Sequence, residues 1–229
     1  MAIGQGLSYA VDVTMCIDKT GSMKDLLEKT KEDAQSIYQK FLDRMEAEDK
    51  QVDALRIKVI AFGDYKDDER PMMISKFFNL PDENAEFKAF LDGVTASGGG
   101  DAAENSLEAL AHAIKNDWTD EGNLNRHVIM FFTDAPALKL GERADTSKDD
   151  EQLTMPKDLA ELGEWWEEMD YRSKRLIIFA PNGYPWDDLS VAWNNCIHVP
   201  SKAGKGCEEV DIDEVVRVLV QSVGTVAEQ

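Results

Sequence analysis

Cysteine, histidine and basic residues are scarce in this sequence of 229 residues, and each scarcity excludes a class of protein. Three cysteines, far apart in the chain, are too few for a disulfide framework. No two of the three histidines have the spacing of metal ligands. The 25 lysines and arginines face 45 acidic residues, which gives a formal charge of -20. Such a charge argues against nucleic acid or an anionic membrane surface as a partner.

Long hydrophobic runs are also missing. No stretch approaches the roughly 20 apolar residues that span a bilayer, and residues 1–9 have neither the basic start nor the apolar centre of a secretory signal. We therefore expect a cytoplasmic protein. A hydrophobic fraction of 43% is typical of a globular protein, and the length allows one large α/β domain or two small ones. We expect a single domain over residues 1–229.

Strand-like and helix-like patterns alternate along the chain. Apolar runs predict strands at 7–17, 55–62, 126–132, 176–180 and 196–199. Amphipathic spacing predicts helices at 23–45, 85–94, 102–116, 157–169, 186–194 and 208–223. Residues 72–78 are typical of a hairpin partner at a sheet edge. Strands that are apolar without interruption indicate a mostly parallel sheet with helices on both faces.

Acidic and hydroxyl side chains follow the predicted strands. Asp18, Thr20 and Ser22 come after the first strand, Asp101 follows three glycines, and Asp134 comes after the strand at 126–132. In a parallel sheet, ligands sit outside the carboxyl ends of the strands. We therefore expect these three stretches to meet at one edge.

The order of these motifs resembles the von Willebrand factor A-type domain over residues 7–223. The shared features are Asp18-x-Thr20-x-Ser22, Gly99-Gly100-Asp101 before a helix, and Thr133-Asp134 after a later strand. The resemblance implies a Rossmann-like, doubly wound, six-stranded sheet, mostly parallel, with helices on both faces and one antiparallel edge strand, 72–78. It also implies a metal-ion-dependent adhesion site.

Residues implied as metal ligands by the resemblance are Asp18, Thr20, Ser22, Asp101 and Asp134. Mg²⁺ is the expected ion, with Mn²⁺ or Ca²⁺ as alternatives, because Mg²⁺ prefers carboxylate, hydroxyl and water oxygens. An acidic side chain of a protein partner would complete the coordination. The resemblance thus implies an interaction module without catalysis, of the kind that serves regulatory or assembly roles in intracellular complexes. A monomer is compatible with the sequence.

Asp101 departs from the family pattern, which usually has threonine there. It matches a Gly-Gly-Gly-Asp subgroup of the family. A third carboxylate would add negative charge to the site and so weaken the binding of an acidic side chain from a partner. The alternative interpretation is that Asp101 caps the helix predicted from Ala102.

Two further interpretations of the first motif compete with the adhesion site. Asp18-Lys19-Thr20-Gly21 also resembles the phosphorylated-aspartate motif of haloacid-dehalogenase-like phosphotransferases and phosphatases, in which Asp18 would be the nucleophile. Against it, Thr20 stands where soluble relatives carry a second aspartate. Alternatively, Asp18 and Ser22 form only an N-terminal cap for the first helix.

Two other segments follow predicted strands and could border the binding face. Tyr184 and Trp186 follow a predicted strand end, where they would either anchor a partner or pack a short helix. The polar connection at 139–154 is long for a compact domain, which favours a functional loop or an extra helical turn.

Overall fold

The computed structural model describes residues 8–98, 103–142 and 145–225. The strands are β1 (Ser8–Asp18), β2 (Gln51–Phe62), β3 (Met72–Ile74), β4 (Phe78–Leu80), β5 (Leu124–Phe132), β6 (Lys174–Pro181) and β7 (Cys196–Ser201). The helices are α1 (Lys24–Ala47), α2 (Asn84–Gly93), α3 (Ser106–Ile114), α4 (Leu159–Glu168), α5 (Trp186–Ala192) and α6 (Ile212–Gly224). Two 3₁₀ turns, Gly21–Met23 and Thr146–Lys148, lie in the connections.

The strands form one mixed sheet in the order β3-β2-β1-β5-β6-β7, and β4 also pairs with β2. The β1, β2, β5, β6 and β7 strands are parallel, so their carboxyl ends lie at the same edge. The chain leaves β1 toward β2 on one side and later returns to β5 on the other. The β1–β5 junction is therefore the switch point, where ligands of doubly wound sheets bind.

Helices cover both faces of the sheet, as the uninterrupted apolar strands predict. On one face, side chains of α1, α2 and α6 pack in a single cluster against β1 residues such as Val13 and Ile17. On the other, α3, α4 and α5 pack against residues such as Ile129 and Phe131 of β5. Strand β1 is buried along its entire length, so its last residue, Asp18, is fully enclosed.

The predicted fold class is confirmed, with a difference at the antiparallel edge. The single edge strand predicted at 72–78 is two strands of three residues each. Between them, the backbone N–H of Ser75 donates to the Val59 carbonyl (2.9 Å), and the Ser75 hydroxyl accepts from the Val59 N–H (2.8 Å). A side chain thus occupies the position of a backbone pairing, and the edge strand is interrupted there.

Candidate functional site

The carboxylate of Asp18 is buried at the end of β1 and accepts three hydrogen bonds. The backbone N–H and the hydroxyl of Thr20 both donate to Oδ1, at 2.8 and 2.6 Å. The hydroxyl of Thr133, just after β5, donates to Oδ2 at 2.7 Å. The two central strands are therefore joined at their carboxyl ends through one acidic side chain.

Burial raises the pKa of Asp18 to about 6. The hydrogen bonds from Thr20 and Thr133 oppose this shift because they stabilise the charged form, and the nearby charge of Asp134 adds to it. A carboxylate in this position is costly to keep ionised. A cation beside it would lower that cost.

Ser22 and Asp134 meet although 112 positions separate them in the chain. The Ser22 hydroxyl donates to Oδ1 of Asp134 at 3.0 Å. The other oxygen, Oδ2, accepts from the backbone N–H of Gly206 at 2.6 Å, and the Asp134 carbonyl accepts from the Gly204 N–H at 2.8 Å. The segment after β7 therefore holds Asp134 in place against the loop that follows β1 and carries Thr20 and Ser22, which we call the first loop.

These groups border a cleft of about 380 Å³ at the carboxyl edge of the sheet. Thr20, Ser22 and Asp134 line it, and so does Glu104, whose side chain is only 2% exposed. Asp18 does not line the cleft and lies behind Thr20. Hydroxyl- and carboxylate-bearing residues thus form part of the cleft wall, and glycine, alanine and proline form the rest.

The first loop is also fastened on its other side. Lys19 is buried and forms an ion pair with Asp68 at 3.0 Å. The backbone of Lys19 bonds to Phe62 at the end of β2 and to Ser97, at 2.8 and 2.9 Å. The loop that carries Thr20 and Ser22 is therefore fixed before any ligand binds.

Of the five predicted ligands, the structure brings four to this edge: Asp18, Thr20, Ser22 and Asp134. Asp101 lies outside the described residues. The helix predicted from Ala102 begins at Ser106 instead, with Asn105 at its N-cap position. The prediction that this helix starts at Ala102 is therefore wrong, and the alternative role of Asp101 as a cap lies, like Asp101 itself, outside the described residues.

The hypothesis that Asp18 and Ser22 only cap the first helix is also wrong. Within the described residues, no side chain caps the 3₁₀ turn at Gly21–Met23 or helix α1. Asp18 bonds to Thr20 and Thr133, and Ser22 bonds to Asp134. Each side chain therefore bonds to a residue of the segment after β5.

The interpretation of Trp186 as a packing residue is supported. Its ring is 1% exposed, lies 5.1 Å from the ring of Phe131, and donates through Nε1 to the Ala135 carbonyl at 3.1 Å. Tyr184 is 43% exposed. The connection at 139–154 contains one 3₁₀ turn, as one of the two interpretations expected.

Three residues that form or support the site are not among the predicted ligands: Thr133, Glu104 and Gly206. Thr133 was visible beside Asp134 in the motif, but its bond to Asp18 was not. Glu104 falls within the helix predicted at 102–116, whereas its backbone pairs with the segment at Pro136–Leu138. No local signal marks Gly206, because its role depends on a contact with a loop far away in sequence.

The chemistry of the donor set fits a hard divalent cation. The three cleft-lining ligands present only oxygen atoms, and a hydroxyl that donates one hydrogen bond still has lone pairs to offer. Histidine, cysteine and acidic side chains of the described ranges do not form a group of three that could hold a metal ion. Hydroxyl oxygens would therefore have to complete the site.

A Thr133→Val variant is expected to lose about 1–3 kcal/mol of stability, because it removes a donor from the buried Asp18 carboxylate. Thr133→Ser keeps the hydroxyl and should stay close to the wild type. Urea unfolding of the three proteins measures the difference. A valine variant as stable as the wild type would show that this bond does not hold Asp18.

The fold and site together define a class: a doubly wound α/β domain with hydroxyl and carboxylate side chains gathered at its switch point. A family model described as "von Willebrand factor A domain" matches residues 12–149, more than half of the chain. The chain belongs to the von Willebrand factor A domain family. Domains of this family commonly mediate protein interactions.

Solved structures agree with this assignment of the fold. A von Willebrand factor type A protein from Catenulispora acidiphila is 15% identical, with a TM-score of 0.55, and the match covers 95% of this chain and 43% of that one. The pilus adhesin SpaC from Lactobacillus rhamnosus GG, in an open conformation, is 10% identical, with a TM-score of 0.53, covering 96% and 31%. The chain thus spans less than half the length of either structure. No curated protein matches the chain.

Proposed function

We propose that this chain is a metal-dependent protein-interaction module of the metal-ion-dependent adhesion type. The observation that carries the proposal is the pair of contacts across the switch point. Thr133 donates to Asp18 and Ser22 donates to Asp134, so two loops more than 100 positions apart bring hydroxyl and carboxylate oxygens together beside one cleft. Oxygen atoms of these kinds suit a hard cation.

The residues that would hold the ion are Thr20, Ser22 and Asp134, with Asp18 behind them as a source of negative charge. Mg²⁺ is the ion we favour, with Mn²⁺ and Ca²⁺ as alternatives. When bound, the metal would supply a positive centre that neutralises the carboxylates and offers a coordination position to an acidic side chain of a partner. Asp101, if it joins this set, would make the site more negative and weaken its attraction for such a partner.

A role as a regulatory or scaffold component of a cytoplasmic complex follows from this proposal. We expect no catalysis by the chain itself. The phosphotransfer alternative needs Asp18 to attack a phosphoryl group, yet Asp18 is fully buried and both of its oxygens accept hydrogen bonds. Family membership gives that alternative no support.

Magnesium titration by calorimetry tests the proposal. The wild type is expected to bind Mg²⁺, and Ser22→Ala to bind at least about tenfold more weakly, a change that corresponds to about 1.4 kcal/mol. Ser36→Ala serves as the control, because Ser36 lies on α1 and its hydroxyl bonds within its own helix to the Asp33 carbonyl. The control should bind like the wild type.

Either of two results would contradict the proposed site. A wild type that binds no Mg²⁺, Mn²⁺ or Ca²⁺ would leave the contacts around Asp18 with a purely structural role. Equal Mg²⁺ affinity of the wild type and Ser22→Ala would remove Ser22 from the site. The next measurement would then be acyl-phosphate formation on Asp18.

A further inference from the structure

A groove of about 790 Å³ lies between α4 and α5, on the sheet face that carries α3. Its floor is apolar: Leu159 and Gly163 come from α4, Leu189 from α5, and Trp193 from the residues just after α5. Trp193 stacks on the buried Trp166, with the ring centres 5.5 Å apart, so the floor is firmly supported. Gly163 has no side chain, and this leaves the edge of the Trp193 indole uncovered from above.

The indole N–H of Trp193 forms no hydrogen bond within the parts of the chain that the structure describes. The residue is 9% exposed, and its Nε1 atom lies 3.4 Å from the position that a Cβ on Gly163 would occupy. This N–H is not among the buried polar atoms that lack a partner, so it is accessible from the groove. Such a donor can bond to a carbonyl oxygen of a ligand.

The rim of the groove is acidic. Four of its ten lining residues are acidic and none is basic: Glu164, Glu167, Glu168 and Asp188. Two of the four have cationic neighbours, because Lys174 lies 3.5 Å from Glu167 and Lys115 lies 2.8 Å from Glu168. Glu164 and Asp188, one from each helix, are exposed and make no ion pair with any described residue. Unpaired negative charge therefore stands on both sides of the apolar floor.

We propose that this α4–α5 groove binds a basic amphipathic helix of a partner protein. An apolar strip between two helices matches the apolar face of a third helix, and the acidic rim matches lysine or arginine at its flanks. The same acidic rim disfavours anionic lipid surfaces and nucleic acids.

The groove is independent of the candidate metal site. None of its lining residues lines the metal cleft, and the metal cleft lies at the carboxyl edge of the sheet rather than between helices. A partner could therefore occupy the groove whether or not the cleft holds an ion. Failure of one proposal leaves the other untouched.

A synthetic peptide tests the groove directly. The probe is an alanine-based helix of about 15 residues with leucines at i, i+3, i+4 and i+7 and lysines on both flanks. Its binding to the full chain is followed by fluorescence anisotropy at physiological salt. We expect saturable binding, and no comparable binding of a peptide with the same composition in scrambled order.

Two groove variants should weaken this binding at least about tenfold. Gly163→Gln places a side chain over the Trp193 indole, and glutamine is a better helix former than glycine, so the fold should be retained. Glu164→Lys with Asp188→Lys reverses the unpaired rim charges. The control is Glu32→Lys with Asp82→Lys, which makes the same change in net charge at exposed positions elsewhere and should bind the peptide like the wild type.

Each contrary result overturns the proposal. Equal binding of the scrambled peptide, or equal weakening by both charge-reversed pairs, would mean that net charge alone attracts the probe. Unchanged affinity in Gly163→Gln would place the peptide elsewhere, and no binding at all would remove the groove as a docking surface for basic helices. Self-association that Gly163→Gln abolishes would assign the groove to a second copy of the chain.

Discussion

A Gly206→Ala variant is expected to lose more than about 3 kcal/mol of stability, together with most of the Mg²⁺ affinity that we propose for the wild type. Gly206 has a φ of +59°, and a Cβ there would overlap the backbone carbonyl group of Ser22. A backbone group cannot move aside as a flexible side chain does. Alanine would therefore push the segment after β7 away from the first loop and break the Gly206 N–H bond to Asp134.

Gly204→Ala is the matched control for this prediction. Gly204 lies in the same segment with a φ of +65°, but a Cβ there would meet nothing within 4 Å. The control carries only the backbone strain of a left-handed residue, about 1–2 kcal/mol. Denaturant unfolding and magnesium calorimetry on both variants separate strain from overlap. If the two variants lose the same stability, the contact with Ser22 is not what requires glycine at 206.

Glu108→Gln is expected to stabilise the protein at pH 8 by up to about 3 kcal/mol and to change little at pH 4. Glu108 lies on α3 and is fully buried. Burial raises the pKa of Glu108 to about 7, a shift that polar groups of Asn105 and Gly141 oppose and the nearby charge of Asp149 increases. Glutamine has nearly the same shape and carries no charge to bury.

The direction of the pH effect follows from the raised pKa of Glu108. Between the ordinary value of 4.5 and about 7, the folded protein holds a proton on Glu108 that the unfolded chain has lost. The contribution of this residue to stability is therefore complete below pH 4.5 and is lost as the pH rises through 7. Unfolding free energies of the wild type and Glu108→Gln at several pH values measure the difference.

A glutamate exposed to solvent provides the comparison for Glu108. Glu46→Gln, on α1, alters a side chain that is exposed in the folded protein, so its effect should be small and nearly independent of pH. If Glu108→Gln is no more stable than the wild type at pH 8, Glu108 is not a buried acid that folding must neutralise. Asp149 packs in the same region, where it accepts from the Tyr65 hydroxyl at 2.7 Å and lies 3.1 Å from His112 Nε2. The charge of Asp149 adds to the raised pKa of Glu108, so relief of that repulsion contributes to the stabilisation expected for Glu108→Gln.

The sheet could be predicted because its signal is local. Apolar runs such as Val128–Phe132 identify buried strands on their own, and the alternation with helices then limits the topology to a doubly wound sheet. The placement of Asp18 and Asp134 followed from the same argument, because parallel strands end at one edge. The structure confirms this predicted fold and the meeting of these loops.

Features that depend on distant contacts could not be predicted. Gly206 looks like any loop glycine until the backbone of Ser22 is seen against it. The interruption of the edge strand depends on Ser75, whose hydroxyl replaces a backbone partner of Val59. The late start of α3 has a similar origin, because Glu104 pairs with the segment after β5 instead of joining the helix.

Resistance to aggregation through the sheet margins is a consequence of the divided strand beside β2. Each half offers three residues, and such short segments give an approaching strand little backbone to pair with. At the opposite margin, β7 contains Pro200, which has no N–H to donate. Both margins are therefore poor templates for strand addition. Edge-to-edge pairing between the sheets of neighbouring copies is thus disfavoured even at high local concentration.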